Sequence, residues 1–229
     1  MKKNNLLLLH GALGSKVQLE SIKSLLSNNY NVYSIDFEGH GSEASNNKFS
    51  IALFTKNVLD TLSKLNIIKI NIFGYSMGGY VALNFALQNP EMVDNIVTLG
   101  TKFNWSKDSA EREVKMLNPN VIEEKVPKFA NRLNELHRAN NWKHVVNKTA
   151  DMMIQLADKE KLNNDDFKQI KHSVLIGIGT LDAMVTIEES EKIATILDNG
   201  NLKIIENFQH PIEKIDPKQL SNIILDFIK

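Results

Sequence analysis

Ser76 stands in "GYSMGG" (residues 74–79), between the β-type run "KINIF" and the helix-forming run "YVALNFAL". A serine flanked by Gly74, Gly78 and Gly79 suits a sharp strand-to-helix turn. Small neighbours let such a turn close, and the strained backbone lifts the hydroxyl clear of it. The helix that follows would offer N–H groups and a positive dipole end to a developing oxyanion. A Gly/Ser loop that merely caps a helix has the same letters, so partners must decide. A serine hydroxyl is a poor nucleophile until a base takes its proton.

Six histidines are available: His10, His40, His137, His144, His172 and His210. His210 directly follows the strand-like run "LKIIENF", at the edge where strand ends of a parallel sheet gather functional groups. His137 and His144 fall in a helical stretch and read as surface or lid residues. His172 precedes a strand, which puts it at the opposite edge. The base also needs an orienting carboxylate. Asp182 in "GTLDAMV" follows the run "SVLIGIG", and the chain order Ser76, Asp182, His210 is that of one hydrolase geometry. Asp108 in "TKFNWSKDSA" is the rival. It lies farther from its strand, where a helix N-cap role is natural, so Asp182 is preferred.

The first strand-like run ends in "HGALG" (10–14). His10-Gly11 would turn the chain so that the Ala12 N–H faces the serine. Together with the Met77 N–H it would form a two-donor oxyanion hole, each donor worth ~3 kcal/mol in the transition state. His10 is then structural. In "DFEGHGSE" (36–43), Asp36 and His40 are expected to build a tight loop by hydrogen bonds.

The elements that must position these groups alternate. Strand candidates are 6–10, 31–37, 69–75, 95–100, 173–179 and 202–208, mostly continuous apolar runs, as expected of strands covered on both faces. Helical patterns occupy 16–27, 50–65 and 77–89. The alternation predicts an α/β fold: a mostly parallel sheet of about six strands with helices on both faces. Residues 102–170 break the rhythm with charged, helical sequence punctuated by Pro119 and Pro127. Val126, Phe129, Leu133 and Leu136 fit one buried helical face there. The expected organisation is a core of 1–101 and 171–229 with a helical lid, 102–170, inserted in it. Leu13, Tyr75, Phe103, Trp105, Phe129, Trp142, Met153 and Met184 are candidates to line an apolar substrate pocket. At helical spacing, the aromatic ones also suit ordinary packing within the lid.

The stretches "LLLLHGALGS", "DFEGHGSE", "GYSMGGYVAL", "GIGTLDAMV" and "ENFQHPIEK", taken in this order, resemble the α/β-hydrolase superfamily in its small lidded esterase-like branch. The resemblance spans nearly the whole chain and is least specific in the lid. It implies Ser76 as nucleophile, Asp182 as acid and His210 as base, with the Ala12 and Met77 N–H groups as oxyanion donors. There are departures. Longer members begin with two further strands, whereas "LLLLH" starts almost at Met1 here. Many relatives carry a tryptophan shortly after the first glycine turn, where this chain reads "SKVQLES". The menaquinone-pathway synthase resembles "GYSMGG" but continues with arginine, where this chain has Tyr80.

Composition bounds the rest. Lys+Arg and Asp+Glu both number 27, so no basic excess points to nucleic acid and no basic block to a membrane surface. No cysteine is present, which excludes disulfides, thiolate metal sites and a cysteine nucleophile. The start "MKKNNLLLLH" has too short an apolar run for a secretory core, and no run approaches a membrane span. The expectation is a cytoplasmic serine hydrolase that cleaves a small carboxylic ester through an acyl-enzyme. It needs a small-molecule acyl substrate and no cofactor or metal, and its oligomeric state is open. Two other readings share the scaffold: non-hydrolytic C–C cleavage or elimination, and a ligand-sensing protein with a slow triad.

Overall fold

Leu6, Leu7, Leu8 and Leu9 are all completely buried, and alternate members face opposite layers. Leu7 and Leu9 pack into one apolar layer, Leu6 and Leu8 into the other. This is the period-two geometry of a strand covered on both sides. The structure is a computed structural model that describes residues 3–228. In it these leucines form β1 (Asn5–Leu9), followed by β2 (Asn31–Ile35), β3 (Ile70–Tyr75), β4 (Val93–Leu99), β5 (Ser173–Leu181) and β6 (Gly200–Gln209). The six strands make one parallel sheet in the order β2-β1-β3-β4-β5-β6, as the alternation predicted. The reversal of direction at β1/β3 is a topological switch point, and it lies beside the end of β3.

Helices cover both faces. On one side lie α1 (Glu20–Leu26) and the C-terminal helix, here α10 (Pro217–Phe227), over Leu6, Leu8, Phe73 and Val97. On the other lie α2 (Ile51–Lys64), α3 (Met77–Gln88) and α9 (Ile187–Ile196). α3 is buried from Met77 to Ala86 without a polar face, because it sits between the sheet and further helices. The expected strand 31–37 stops at Ile35, since Asp36 and Phe37 already turn into the next loop. The expected helix 16–27 is a 3₁₀ turn, Lys16–Leu19, that passes into α1.

The stretch 102–170 contains α4 (Lys107–Lys115), α5 (Pro119–Lys125), α6 (Pro127–Leu136), α7 (Trp142–Gln155) and α8 (Asn164–Gln169), with no strand among its described residues. Pro119 and Pro127 each open a helix at the first position, where the missing N–H has no partner to lose. That placement corrects the expected buried face on α6. Val126 precedes the helix and is exposed, Phe129 is 41% exposed, and the buried stripe is Ala130 and Leu133.

Trp105, Ala110, Val145, Met152, Leu156 and Phe167 from this stretch belong to the same apolar layer as α2, α3 and β1. The helices therefore complete the core on that side. Phe167→Ala is expected to destabilise the protein by about 3–5 kcal/mol in urea unfolding, as a sheet-core deletion would. Phe129→Ala should stay within about 0.5 kcal/mol. Equal, small shifts would mean that the segment rides loosely on the sheet.

Candidate active site

β3 ends at Tyr75, and the next residue, Ser76, takes φ 51 and ψ −118. A non-glycine residue there is strained by about 1–3 kcal/mol, so its surroundings must hold it. Three contacts do. The Ser76 N–H donates to Leu99 O at 2.8 Å. Thr101 Oγ1 donates to Ser76 O at 3.0 Å. Close backbone approaches fill the rest: a Cβ at Gly74 would lie 2.4 Å from Gly78 O, and one at Gly78 would lie 2.4 Å from Leu9 O. Only glycine fits at either place, which explains the spacing in "GYSMGG".

The turn brings Ser76 Oγ to 3.2 Å from His210 Nε2. His210 Nδ1 is 2.9 Å from Asp182 Oδ2. The other carboxylate oxygen, Oδ1, accepts the N–H groups of Met184 and Val185, both at 2.9 Å. Those donors fix the carboxylate plane. With Asp182 accepting at Oδ2, the imidazole carries its proton on Nδ1 and offers the Nε2 lone pair to the serine hydroxyl. The side chains of Asp182 and His210 are 2% and 11% exposed, so this hydrogen-bonded series is shielded from water while its serine end opens into a cavity. Tyr75 lies beneath it and donates its hydroxyl to His210 O at 2.8 Å. The β5/β6 pairing slips between Gly179 and Leu181, and Asn207 takes φ 63, its N–H bonded to Thr180 Oγ1 at 2.9 Å. This kink lies just before His210 and re-aims the strand end.

Asp108 lies apart from this group. It is exposed in the first turn of α4, and the cap itself is Ser106, in a reciprocal box with Ser109. Ala12 and Met77 border the same cavity as Ser76 and His210. Met77 is the first residue of α3, so its N–H has no partner within the helix. Ala12 sits in the turn Gly11–Gly14, closed by Gly14 N–H to Gly11 O at 3.1 Å.

The cavity is narrow, about 40 Å³, and mostly apolar. Of the residues singled out as pocket candidates, Trp105, Met153 and Met184 line it. The others do not. Tyr75 supports His210 from below, and Phe103 packs between Tyr80 and Phe167. Trp142 is inserted in a separate cluster with Ile122, Ala130, Leu133 and Val146, against which Leu13 also packs. Phe129 faces solvent. Helical periodicity identified these rings as apolar without telling which way each helix is turned. The sequence reading missed Ile51, Met152, Leu156 and Val185, and a polar pair, Lys102 and Glu113, whose Nζ and Oε1 are 3.3 Å apart in the cavity wall. Lys102 had a usable signal: it follows Gly100 at the C-terminal end of β4, the edge on which the site is built. Glu113 had none.

The family model for the alpha/beta hydrolase fold matches residues 4–147, more than half of the chain. The chain belongs to this family. The sn-1-specific diacylglycerol lipase ABHD11 of Xenopus tropicalis is 33% identical over 96 residues, which is 41% of this chain and 30% of that protein. The curated relatives at the head of the comparison are covered over only 27% of their own length. Among solved structures, a thermophilic esterase from Thermogutta terrifontis superposes with a TM-score of 0.80 at 18% identity, covering 99% of this chain and 90% of that one. MenH from S. aureus does so with a TM-score of 0.78 at 22% identity, covering 100% and 94%. No described helix is long and apolar enough to cross a membrane.

Beneath the site, this hydrolase-fold chain buries three imidazoles side by side. His10 and His40 are 5.3 Å apart between ring centres, and His40 and His137 are 5.7 Å apart. The expectation of His137 as a surface or lid residue is corrected in its first half, since it is fully buried. The reason is that α6 ends pointing inward. His10 Nε2 accepts the Phe37 N–H at 3.1 Å, and His137 Nδ1 accepts the Gly41 N–H at 3.0 Å. Both acceptors require neutral rings. Burial pulls His10 down to about 4, and pulls His40 and His137 below their usual value. Asp36 braces the neighbouring loop by accepting from Lys16 N–H (2.8 Å), Ser42 N–H (3.0 Å) and Ser42 Oγ (2.9 Å). Burial pushes its carboxyl up, but these bonds and the Lys16 charge outweigh it and hold it below its usual range.

The sign of the pH effect follows. Unfolded histidines take up protons near 6.5, whereas the folded rings resist until well below that. Between these limits the unfolded chain binds more protons, so stability rises with pH and is lost on acidification. Thermal melts should therefore show Tm steady from pH 8 to 7 and falling steeply from 6.5 toward 4. Asp36 adds its own loss only below its ordinary value of 3.8. A flat Tm down to pH 4.5 would mean that the imidazoles protonate in place.

Proposed function

We propose that the chain is a serine hydrolase acting on a small carboxylic ester. One observation carries the reading: the hydrogen-bonded series Ser76–His210–Asp182, with the serine on a strained turn at the mouth of an apolar cavity. In this reading Ser76 Oγ attacks the ester carbonyl as His210 Nε2 takes its proton. The Ala12 and Met77 N–H groups receive the oxyanion, and His210 protonates the departing alcohol. Water, activated by the same imidazole, then releases the acid. Asp182 holds the ring in one tautomer and stabilises its charged form. Residues 102–170 act as the lid that shapes the acyl pocket.

Relatives named as a lipase and an esterase support ester chemistry. The size of the cavity narrows the substrate. About 40 Å³ holds only a few waters, which favours an acetyl or propionyl group over a fatty acyl chain.

A fluorophosphonate probe should add once, on the peptide containing Ser76, and Ser76→Ala should abolish labelling with unchanged circular dichroism. Labelling that persists in the variant removes Ser76 from the mechanism. With p-nitrophenyl esters, turnover should fall at least tenfold from acetate to octanoate. Asp182→Asn stabilises the wrong imidazole tautomer and should cost about 10⁴ in kcat, as such a change does in a serine protease. Asp108→Asn should stay within about tenfold of the parent. The opposite ranking, with both variants folded, moves the acid to Asp108. Labelling without ester turnover would favour non-hydrolytic chemistry at the same serine.

A further inference from the structure

The turn that carries Ala12 has an unusual residue in its third position. Leu13 takes φ 56, a region in which glycine is at ease and a leucine is not. The closing bond from Gly14 N–H to Gly11 O does not by itself hold a leucine there. Two imidazoles bond to carbonyls of the turn. His10 Nδ1–H donates to Gly11 O at 2.8 Å. His137 Nε2–H donates to Leu13 O at 3.1 Å. His137 is the C-cap of α6 and so belongs to the helical stretch 102–170, far from Leu13 in the chain. Its other nitrogen accepts the Gly41 N–H at 3.0 Å, which ties it to the loop that Asp36 braces. Both nitrogens of this buried ring are committed, one to each loop.

We infer that His137 is a positioning residue for the oxyanion site: its bond to Leu13 O holds the strained Gly11–Gly14 turn, and with it the Ala12 N–H, in the orientation that faces Ser76. The inference rests on the hydrolase reading above and adds to it. It makes the seating of the helical stretch a condition for a complete oxyanion hole. If the bond is lost, Leu13 relaxes from the left-handed region, the adjoining peptides rotate and the Ala12 N–H turns away. Binding of the ester is little affected, because the oxyanion forms only in the transition state.

Two isosteric substitutions separate the two bonds. In His137→Gln the side-chain amide nitrogen reaches the place of Nε2 and keeps the donor to Leu13 O, leaving the Gly41 N–H unpaired. In His137→Asn the amide oxygen takes the place of Nδ1 and keeps the Gly41 acceptor, leaving Leu13 O free. Each loses one hydrogen bond and the imidazole, so a purely structural histidine would give two variants impaired alike. The measurement is kcat and KM for p-nitrophenyl acetate, per site counted from the end point of fluorophosphonate labelling, with thermal melts beside it. His137→Asn should lose roughly 10- to 100-fold in kcat with KM within about threefold, the scale of a displaced oxyanion donor. His137→Gln should stay within about fivefold of the parent. Equal losses in the two, or losses that follow Tm, overturn the inference.

Should His137→Asn not fold, both substitutions are made in a Leu13→Gly background. There the left-handed residue is unstrained, and the gap between the two variants should close to about threefold. A gap of about tenfold or more in that background overturns the inference. A parent protein that neither labels nor turns over esters would overturn the hydrolase reading, and this inference with it. A parent that is active with no gap between Gln and Asn overturns the inference alone.

Discussion

One backbone angle sets the terms for the molecule. Ser76 at φ 51 can exist only where its surroundings leave no alternative, and the sheet and two loops supply those surroundings. The N–H of Ser76 is tied to β4 through Leu99 O, and its carbonyl is tied to Thr101, just beyond the end of β4. The next turn of α3 runs so close to β1 that Gly78 nearly touches Leu9 O. The buried leucines of β1 therefore do more than fill the core. Moving that strand would release the approach that keeps the helix against it, and with it the strain at Ser76. Parallel strands suit this task because their C-terminal ends lie side by side. The ends of β3, β5 and β6 deliver serine, aspartate and histidine to one edge without any long reach.

The buried imidazoles answer a second problem at the same edge. The loops after β1 and β2 carry backbone N–H and C=O groups that the sheet no longer pairs, and burying them unpaired would be costly. Neutral histidine has one donor and one acceptor, and His10 and His137 each use both on such groups. A carboxylate would offer only acceptors and a lysine only donors. The same neutrality makes the cluster the acid-sensitive element of the fold, because a proton would occupy the lone pair that now receives an N–H. His40 contributes differently. Its Nδ1 lies 3.4 Å from Glu38 O within the loop it was expected to build, its ring stacks on Phe49 at 4.8 Å between centres, and its Nε2 has no partner among the described residues.

How much of this the sequence disclosed follows from range. The strands were legible because both-face burial leaves a local signature: "LLLLH" and "KINIFGY" are apolar without a break. The pairing of Ser76 with His210 and Asp182 was legible because each directly follows a strand-like run and the chain order serine, aspartate, histidine is that of one hydrolase geometry. Asp182 rather than Asp108 beside His210 follows from the same reasoning about distance from a strand end. The helical stretch was less legible. Its helices pack on several partners at once, so their phase is set by tertiary contact and not by local pattern alone. Pro127 shows the effect: it starts α6 one residue after Val126, turns Phe129 to solvent and carries His137 inward. His137 has no local mark in "NELHRAN", and only its partners at Leu13 and Gly41 reveal its place.

The two halves of the cavity differ in physical character. The side that holds Ser76 and His210 is built on strand ends, with Asp182 behind it and polar contacts of 2.9 to 3.2 Å. The opposite side comes from helices and presents Met152, Met153 and Leu156, apolar groups without polar contacts to fix them. α7 gives way to a π-helical turn, Leu156–Glu160, at the point where it borders the cavity. Such turns insert an extra residue into a helix and are common beside functional sites, because they shift one face without breaking the element. The Lys102–Glu113 pair closes this side by joining the end of β4 to α4, and Lys102 reaches on to Met184 O at 3.3 Å in the Asp182 loop. A substrate larger than the present cavity must therefore displace methionines or part that pair, while the strand-borne groups stay where they are. Under the proposed hydrolase reading, the sheet would set the chemistry and the helices the fit, and the two would meet through His137, the helix-borne side chain bonded to the turn that carries Ala12.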